Sequence, residues 1–314
     1  MLGLSKSMSL RPRTAVGLFP STRPSGVIVS PKSLVQTKCS SSSGSKNGRV
    51  AITTQGGEGV FGSGGPMKMS PDRNPCSSVG LRRELMPKHV AAILDGNRRW
   101  AQVHGKELDY DAFCYGYLDL ADLCIKWGIP TLTCFIFSTE NWKRTKEANN
   151  LLFGQFKQCL ENSSVNFTRK GIKVSVLGEK TELPKDLQEA INQVEDETKS
   201  NSKLELNFAV NYGGKWDVVE AIRNMSKKAK AKEIKLQDVD EALMDQLLST
   251  SGLRVSDPDL MIRTGGDQRV SNFLIWQMSH TEFYFTDVYG PDFAEPHFID
   301  ALRWFQQCDR LFGK

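Results

Sequence analysis

From Leu81 onward, apolar residues fall into two alternating patterns. Short runs rich in β-branched and aromatic residues are separated by longer segments whose apolar positions recur every three or four residues. The first pattern reads as strands buried on both faces and the second as the helices that cover them, the order expected of a largely parallel sheet. Strands are predicted at His89–Asp95, Thr131–Ser138, Lys173–Gly178, Leu204–Tyr212, Asp259–Arg263 and Phe283–Thr286. Helices are predicted at residues 98–104, 111–127, 146–169, 185–199, 215–231, 238–249 and 296–311. The run "KKAKAKEIK", Lys227–Lys235, reads as a solvated helix end and loop. No apolar run reaches the ~18 residues that a bilayer span needs, so a soluble protein with a single α/β domain over residues 81–314 is expected.

Composition changes this picture at the N-terminal end. Residues 1–57 hold twelve serines and eight Lys and Arg but no Asp or Glu, which predicts a plastid transit peptide. Residues 58–80, with "GVFGSGG" and scattered proline and serine, read as a linker. Setting the leader aside leaves 33 bases against 36 acids, a net of −3, so the formal +5 of the whole chain is not a nucleic-acid footprint. The seven cysteines show no CxxC pair and no His/Cys cluster at zinc-ligand spacing, which argues for buried thiols in a reducing compartment.

In open α/β sheets ligands bind beyond the carboxyl ends of the strands. Four predicted strands end in unusual polar sequences: Asp95-Gly96-Asn97-Arg98-Arg99, "STENWKR" (Ser138–Arg144), "NYGG" (Asn211–Gly214) and "RTGGDQRVSN" (Arg263–Asn272). Taken singly these residues have ordinary explanations. Asp95 could cap a helix, Arg263 and Arg269 could be surface ion pairs, and Trp142 and Phe137 could be core. Together, Asp95, Arg99, Arg263, Arg269, Ser271 and Glu282 make a site for a diphosphate with a hard cation beside it. Arginine forks match phosphate oxygens, helix starts after Gly96 and Gly214 offer N–H groups, and Mg²⁺ favours one or two carboxylates plus phosphate. No GxxxxGK[ST] motif is present and no GxGxxG follows a predicted strand, which argues against ATP and dinucleotides. His104, His280 and His297 have no partner spacing that would point to histidine catalysis.

The segments "HVAAILDGNRRWA", "FIFSTENWKR", "NYGG" and "DLMIRTGGDQRVSNFLIWQMSHTEFYF" resemble, in order and approximate spacing, the signature regions of the cis-prenyltransferases, the undecaprenyl and dehydrodolichyl diphosphate synthase family. The resemblance spans Leu85 to Gly313. It implies a single α/β domain with a largely parallel sheet, surrounding helices and an apolar tunnel, working as a Mg²⁺-dependent homodimer. It also implies that Asp95 holds the metal with Glu282 nearby, and that Asp95, Asn97 and Asn141 serve catalysis. By the same resemblance Gly96, Arg98 and Arg99 line an allylic diphosphate pocket. Ser138, Glu140, Trp142 and Arg144 lie with Asn141 on a closing segment, and Arg263, Arg269 and Ser271 grip the second diphosphate. The aspartate-rich DDxxD signature of trans-prenyltransferases is absent.

Departures from the family pattern narrow the expected product. Asp267 stands where glutamate is usual, and Gly265 occupies a Ser or Gly position. More importantly, the GHxxG and upstream arginine that help hold the allylic diphosphate are replaced by "KELDYDAFCYGYLDL", Lys106–Leu120. A weakened allylic grip suits an enzyme that releases a C10 product early. The expected substrate is dimethylallyl diphosphate, with head-to-middle coupling of two copies to lavandulyl diphosphate placed ahead of regular coupling with isopentenyl diphosphate to neryl diphosphate or a longer cis chain. A non-catalytic partner subunit of the same fold is the contrasting expectation, and retention of Asp95 and "STENW" argues against it.

Overall fold

Every residue of HVAAI, TLTCFIFS and LELNFAVNY is buried, as expected of strands covered on both faces. The computed structural model describes residues 78–108 and 110–310, and of residues 110–113 the backbone only. Strands β1 (His89–Ile93), β2 (Thr131–Ser138), β3 (Ile172–Leu177), β4 (Leu204–Tyr212), β5 (Leu260–Arg263) and β6 (Glu282–Phe285) form one sheet in the order β3-β4-β2-β1-β5-β6. All neighbouring pairs are parallel, so all carboxyl ends lie along one edge. The predicted α/β fold with a largely parallel sheet is the one observed.

Helices α1 (Asn97–Val103), α2 (Tyr110–Trp127), α3 (Lys146–Lys170), α4 (Lys185–Thr198), α5 (Gly214–Lys230), α6 (Glu241–Leu247) and α7 (Glu295–Phe305) connect and cover the strands. Local chemistry sets their limits. Thr145 accepts from Ala148 N at 3.3 Å to start α3, and Gly171, left-handed at φ 72°, stops it. Residue alternation along β1 splits the core into two layers. Val90, Ala92 and Leu94 pack with Tyr117, Leu120, Phe156, Ile191 and Phe298, from α2, α3, α4 and α7. Ala91 and Ile93 pack on the opposite face with Tyr212, Phe273, Leu274 and Met278.

Two helix limits differ from expectation. Helix α6 starts at Glu241, because the Asp240 carboxylate accepts from Leu243 N at 2.8 Å and caps it there. Helix α7 ends at Phe305, six residues short of the predicted end. Beyond it Gln306 exchanges hydrogen bonds with the backbone of Arg82, and Arg310 pairs with Asp259 at 2.9 Å, which pulls the chain off the helical path. Just ahead of Leu81, Val79 O accepts from Arg303 at 3.0 Å. The leader and residues 58–77 of the linker lie outside the described residues. None of the five described cysteines is in a disulfide, and no described helix is long and apolar enough to cross a membrane. The lysine run is exposed at the end of α5 and after it, as expected.

His89, at the start of β1, is wholly buried with Nε2 2.8 Å from Thr133 Oγ1. Burial lowers its pKa from 6.5 to about 4. Between those values the unfolded chain takes up a proton that the folded chain refuses, so stability is full above the unfolded value and falls as pH drops through the window. The loss is at most about 3.5 kcal/mol, taking ~1.4 per unit. Thermal melts from pH 7 to 4.5 are expected to show a falling Tm. The fall should be shallower in His89→Gln, whose amide can still bond Thr133 but does not titrate.

Candidate active site

The carboxyl ends of β2, β1 and β5 lie side by side and open onto a cavity of about 830 Å³. Asp95 sits just past β1, with its main chain fixed on two sides. Its carbonyl accepts from Thr264 Oγ1 and from Gly290 N, both at 2.8 Å. Gly96, at φ 92°, then turns the chain into α1. A Cβ there would stand 2.6 Å from Tyr289 Cδ1 and 3.2 Å from Gly265 Cα, so a side chain is excluded where these turns meet.

Arg263, the last residue of β5, is the fixed cation of the cavity, with its side chain 4% exposed. One guanidinium nitrogen donates to Asp95 Oδ2 at 2.8 Å, and another donates to Ser271 Oγ at 2.7 Å and to the Arg269 carbonyl. Its Nε is buried with no hydrogen-bond partner. The loop that Arg263 organises is strained. Ser271, Asn272 and Leu274 all have left-handed backbones, at φ 49°, 61° and 43°. Such conformations cost on the order of 1–3 kcal/mol each and persist only where surrounding contacts impose them.

On the other side of the cavity, β2 runs into a 3-10 turn over Thr139–Lys143. Ser138 N donates to Asn141 Oδ1 at 3.0 Å and Ser138 Oγ accepts from Glu140 N at 3.2 Å, a reciprocal cap. Burial pushes the Glu140 carboxyl up, but hydrogen bonds from Ser138 and Asn272 outweigh this and leave it below its usual range. Asn97 donates from its amide nitrogen to Leu94 O at 2.8 Å. Asn141, whose oxygen is used in the cap, keeps its nitrogen.

Asp95, Asn97, Arg98, Ser138, Glu140, Asn141, Arg144, Arg263, Arg269 and Ser271 all line the cavity. Four arginines face two carboxylates there, an excess of positive charge that suits a polyanion. Arg98 and Arg144 have no ion-pair partner among the described residues. Leu94, Leu108, Phe135, Ile136, Phe137 and Leu152 supply the apolar wall.

Four expected site residues lie elsewhere. Gly96 shapes the turn from behind. Arg99 pairs with Asp267 at 3.1 Å, outside the lining. Trp142 is partly exposed outside the lining, edge-on to Phe137 at 5.2 Å and tilted against Phe153 at 5.5 Å, with its Nε1 donating to Asn211 Oδ1 at 2.7 Å. Glu282 lies at a different level of the sheet from Asp95. It pairs with Leu260, as Val90 does, which puts it five residues before Asp95 along the strand direction, roughly 16 Å at ~3.3 Å per residue. Its carboxylate faces the Cys308 thiol instead. The helix start after Gly213 also offers less than expected, because Gly214 N and Lys215 N already donate to Asn272.

Asn272, Leu108 and Asp267 were not assigned roles from sequence, and the structure places the first two on the cavity. Asp267 ties Arg99 to Arg269, which it meets at 3.0 Å. Burial pushes its carboxyl up, and the guanidinium groups of Arg269 and Arg99 overcome this to hold it below the usual range. Such an acid is hard to find from sequence because its neighbours come from different strands. Among the described residues no cluster of three or more His, Cys, Asp or Glu could hold a metal ion. Asp95 nonetheless fits a hard cation as one ligand completed by phosphate oxygens, since its carboxylate is 36% exposed beside the cavity.

An open parallel sheet with an arginine-lined, half-apolar cavity at its carboxyl edge defines an enzyme class that handles anionic headgroups on apolar tails. The family model described as putative undecaprenyl diphosphate synthase matches residues 93–313. Chloroplastic cis-prenyltransferase 4 of Solanum lycopersicum is 44% identical over 236 residues, covering 74% of this chain and 77% of its own length. The chloroplastic (2Z,6Z)-farnesyl diphosphate synthase CPT6 of the same species is 44% identical over 232 residues, covering 73% of this chain and 80% of its own length. The crystal structure of lavandulyl diphosphate synthase from Lavandula x intermedia, in complex with dimethylallyl diphosphate, superposes with a TM-score of 0.72 at 34% identity, covering 74% of this chain and all of that one. The chain belongs to the cis-prenyltransferase family and is a prenyl-transferring enzyme.

Replacing Asp95 removes the partner of a buried guanidinium. The cost should be about 1–2 kcal/mol, less than the ~3–5 of a wholly buried pair, because water reaches this carboxylate. Asp95→Ala is therefore expected to keep a native circular dichroism spectrum with a slightly lower urea midpoint, and to lose prenyl transfer. Wild-type turnover in a folded variant would overturn the assignment.

Proposed function

We propose that the chain joins two C5 units into a C10 diphosphate with release of diphosphate, and that its preferred product is lavandulyl diphosphate from two molecules of dimethylallyl diphosphate. The observation that carries this reading is the altered allylic side. Between His104 and Arg144 the sequence holds no His or Arg, and the cavity there is lined by Leu108. A cavity of about 830 Å³ also suits compact ligands, within the ~300–1,000 Å³ typical of small-molecule sites. Lys106 does not compensate on the cavity side, since its ammonium lies 4.7 Å from the centre of the Trp100 ring.

In this reading Asp95 offers a carboxylate oxygen to Mg²⁺, whose chemistry when bound is to neutralise charge on the departing diphosphate. Arg98 and Arg144 hold the allylic diphosphate, while Arg263, Arg269 and Ser271 hold the second one. The allylic C–O bond breaks and its electron pair leaves with the diphosphate. The double bond of the second dimethylallyl unit then attacks through C2, and a methyl proton passes to a diphosphate oxygen. Leu94, Phe135, Phe137 and Leu152 exclude water from the cationic carbon.

A second reading is regular coupling with isopentenyl diphosphate, to neryl diphosphate or a longer cis chain. It is favoured by relatives named farnesyl and nerylneryl diphosphate synthase, at 44% and 42% identity. The non-catalytic subunit reading loses support because Asp95, Asn141 and Arg263 converge on one cavity. Residues 1–57 are proposed as a transit peptide and 58–80 as a linker, delivering the enzyme to the plastid stroma, in keeping with relatives named chloroplastic. A homodimer is proposed as well. Its support is the edge position of β6, whose four residues are only partly covered.

Purified protein given Mg²⁺ and dimethylallyl diphosphate alone, followed by dephosphorylation and gas chromatography, tests the reading. Lavandulol is the expected alcohol. No product until isopentenyl diphosphate is added, then nerol or longer prenols, would establish the second reading instead.

A further inference from the structure

One side chain joins three strand ends at the cavity. Asn272 Nδ2 donates to Glu140 Oε1 at 2.8 Å, on the segment after β2. Its Oδ1 accepts from Lys215 N at 2.9 Å and its carbonyl accepts from Gly214 N at 2.6 Å, both at the start of α5 after β4. Asn272 itself belongs to the loop after β5 that carries Arg269 and Ser271. The approach is close enough to exclude side chains from the β4 turn: a Cβ on Gly213 would stand 2.6 Å from Thr139 Oγ1 and 2.7 Å from Asn272 Nδ2. Glu140 is held from its own side by the hydroxyls of Ser138 and Thr139, so its second oxygen is aimed at Asn272. Left-handed backbone at φ 61° is tolerated by asparagine far better than by most residues, which suits this residue type to the position.

Arg144 and Arg269 thus stand on two segments that touch through Glu140 and Asn272. We propose that Asn272 is a positioning residue whose bond to Glu140 couples the segment after β2 to the arginine-bearing loop after β5, so that ordering one side of the cavity orders the other. A hydrogen bond to a charged group sets the scale of the effect, roughly 10- to 100-fold in an equilibrium constant. The kinetic half of the proposal rests on reading the cavity as a site for two prenyl diphosphates. The half concerning the ligand-free protein does not.

Two variants separate the contacts. Asn272→Gly accepts the left-handed backbone and removes the whole side chain. Asn272→Asp keeps the acceptor for Lys215 N but replaces the donor to Glu140 with a negative charge, and it serves alone if the glycine variant does not fold. Amide hydrogen exchange on ligand-free protein is expected to rise in residues 139–144 for both variants, and in 213–215 for Asn272→Gly only. Faster exchange confined to 264–274 would overturn the proposal, leaving Asn272 a local loop residue. In kinetics, Asn272→Asp should raise the KM for dimethylallyl diphosphate about 10-fold or more. In Glu140→Ala the same substitution should add little, because the coupled partner is already gone. Fully additive effects in the double variant would also overturn the proposal. Failure of the wild type to turn over prenyl diphosphates would refute the functional reading, and the exchange experiment would still decide the coupling.

Discussion

The ion pair between Arg263 and Asp95 is the constraint on which the site depends. A guanidinium that is 4% exposed must be fully partnered or must await an anion. Asp95, which follows β1, Ser271 and the Arg269 carbonyl provide the partners, and only Nε is left without one. Because β1 and β5 are neighbours in the sheet, Ile93 is level with Arg263 and Asp95 emerges just beyond it. The backbone then bends to serve this pairing. Gly96 and Gly265 pack closely enough that a Cβ on Gly265 would stand 3.0 Å from Gly96 N.

Around this fixed centre the cavity divides its work. The side belonging to β5 is rigid and charged, with Arg269 tied to Asp267 and the loop held by buried Phe273, which stacks 4.5 Å from Phe135. The side belonging to β2 is a single short turn capped by its own side chains, with the Arg144 guanidinium unpartnered among the described residues. Between them lies an apolar wall made by the sheet itself. In the proposed function this asymmetry would give a firm grip on one diphosphate and a lighter one on the other, as suits an enzyme that ionises one prenyl diphosphate beside another and then releases the product.

Sequence patterning revealed most of this because the relevant signals are local. Continuous apolar runs placed all six strands, and the polar residues ending β1, β2 and β5 converge as expected from a parallel sheet. What escaped depends on register and on backbone conformation. Glu282 lies in a motif rich in site residues, yet the start of an edge strand is the far end from the cavity, and only the pairing with Leu260 reveals it. Asn272 looks like an ordinary loop residue until its left-handed backbone turns its amide between Glu140 and Lys215 N. The N–H groups after Gly213 read as free donors because their acceptor is some sixty residues away in sequence. Trp142 adjoins the cavity segment in sequence but turns toward Asn211 and Phe153.

If Arg263 occupies Asp95 and no other group completes a metal site among the described residues, the cation and the anion must arrive together. Isothermal titration tests this directly, with Mg²⁺ alone, inorganic diphosphate alone, and the two combined as titrants. The account expects no saturable Mg²⁺ binding by itself, weak diphosphate binding, and much tighter binding of the pair that is lost in Asp95→Asn. Saturable binding of Mg²⁺ to the free protein, or tight binding of the pair that persists in Asp95→Asn, would contradict it.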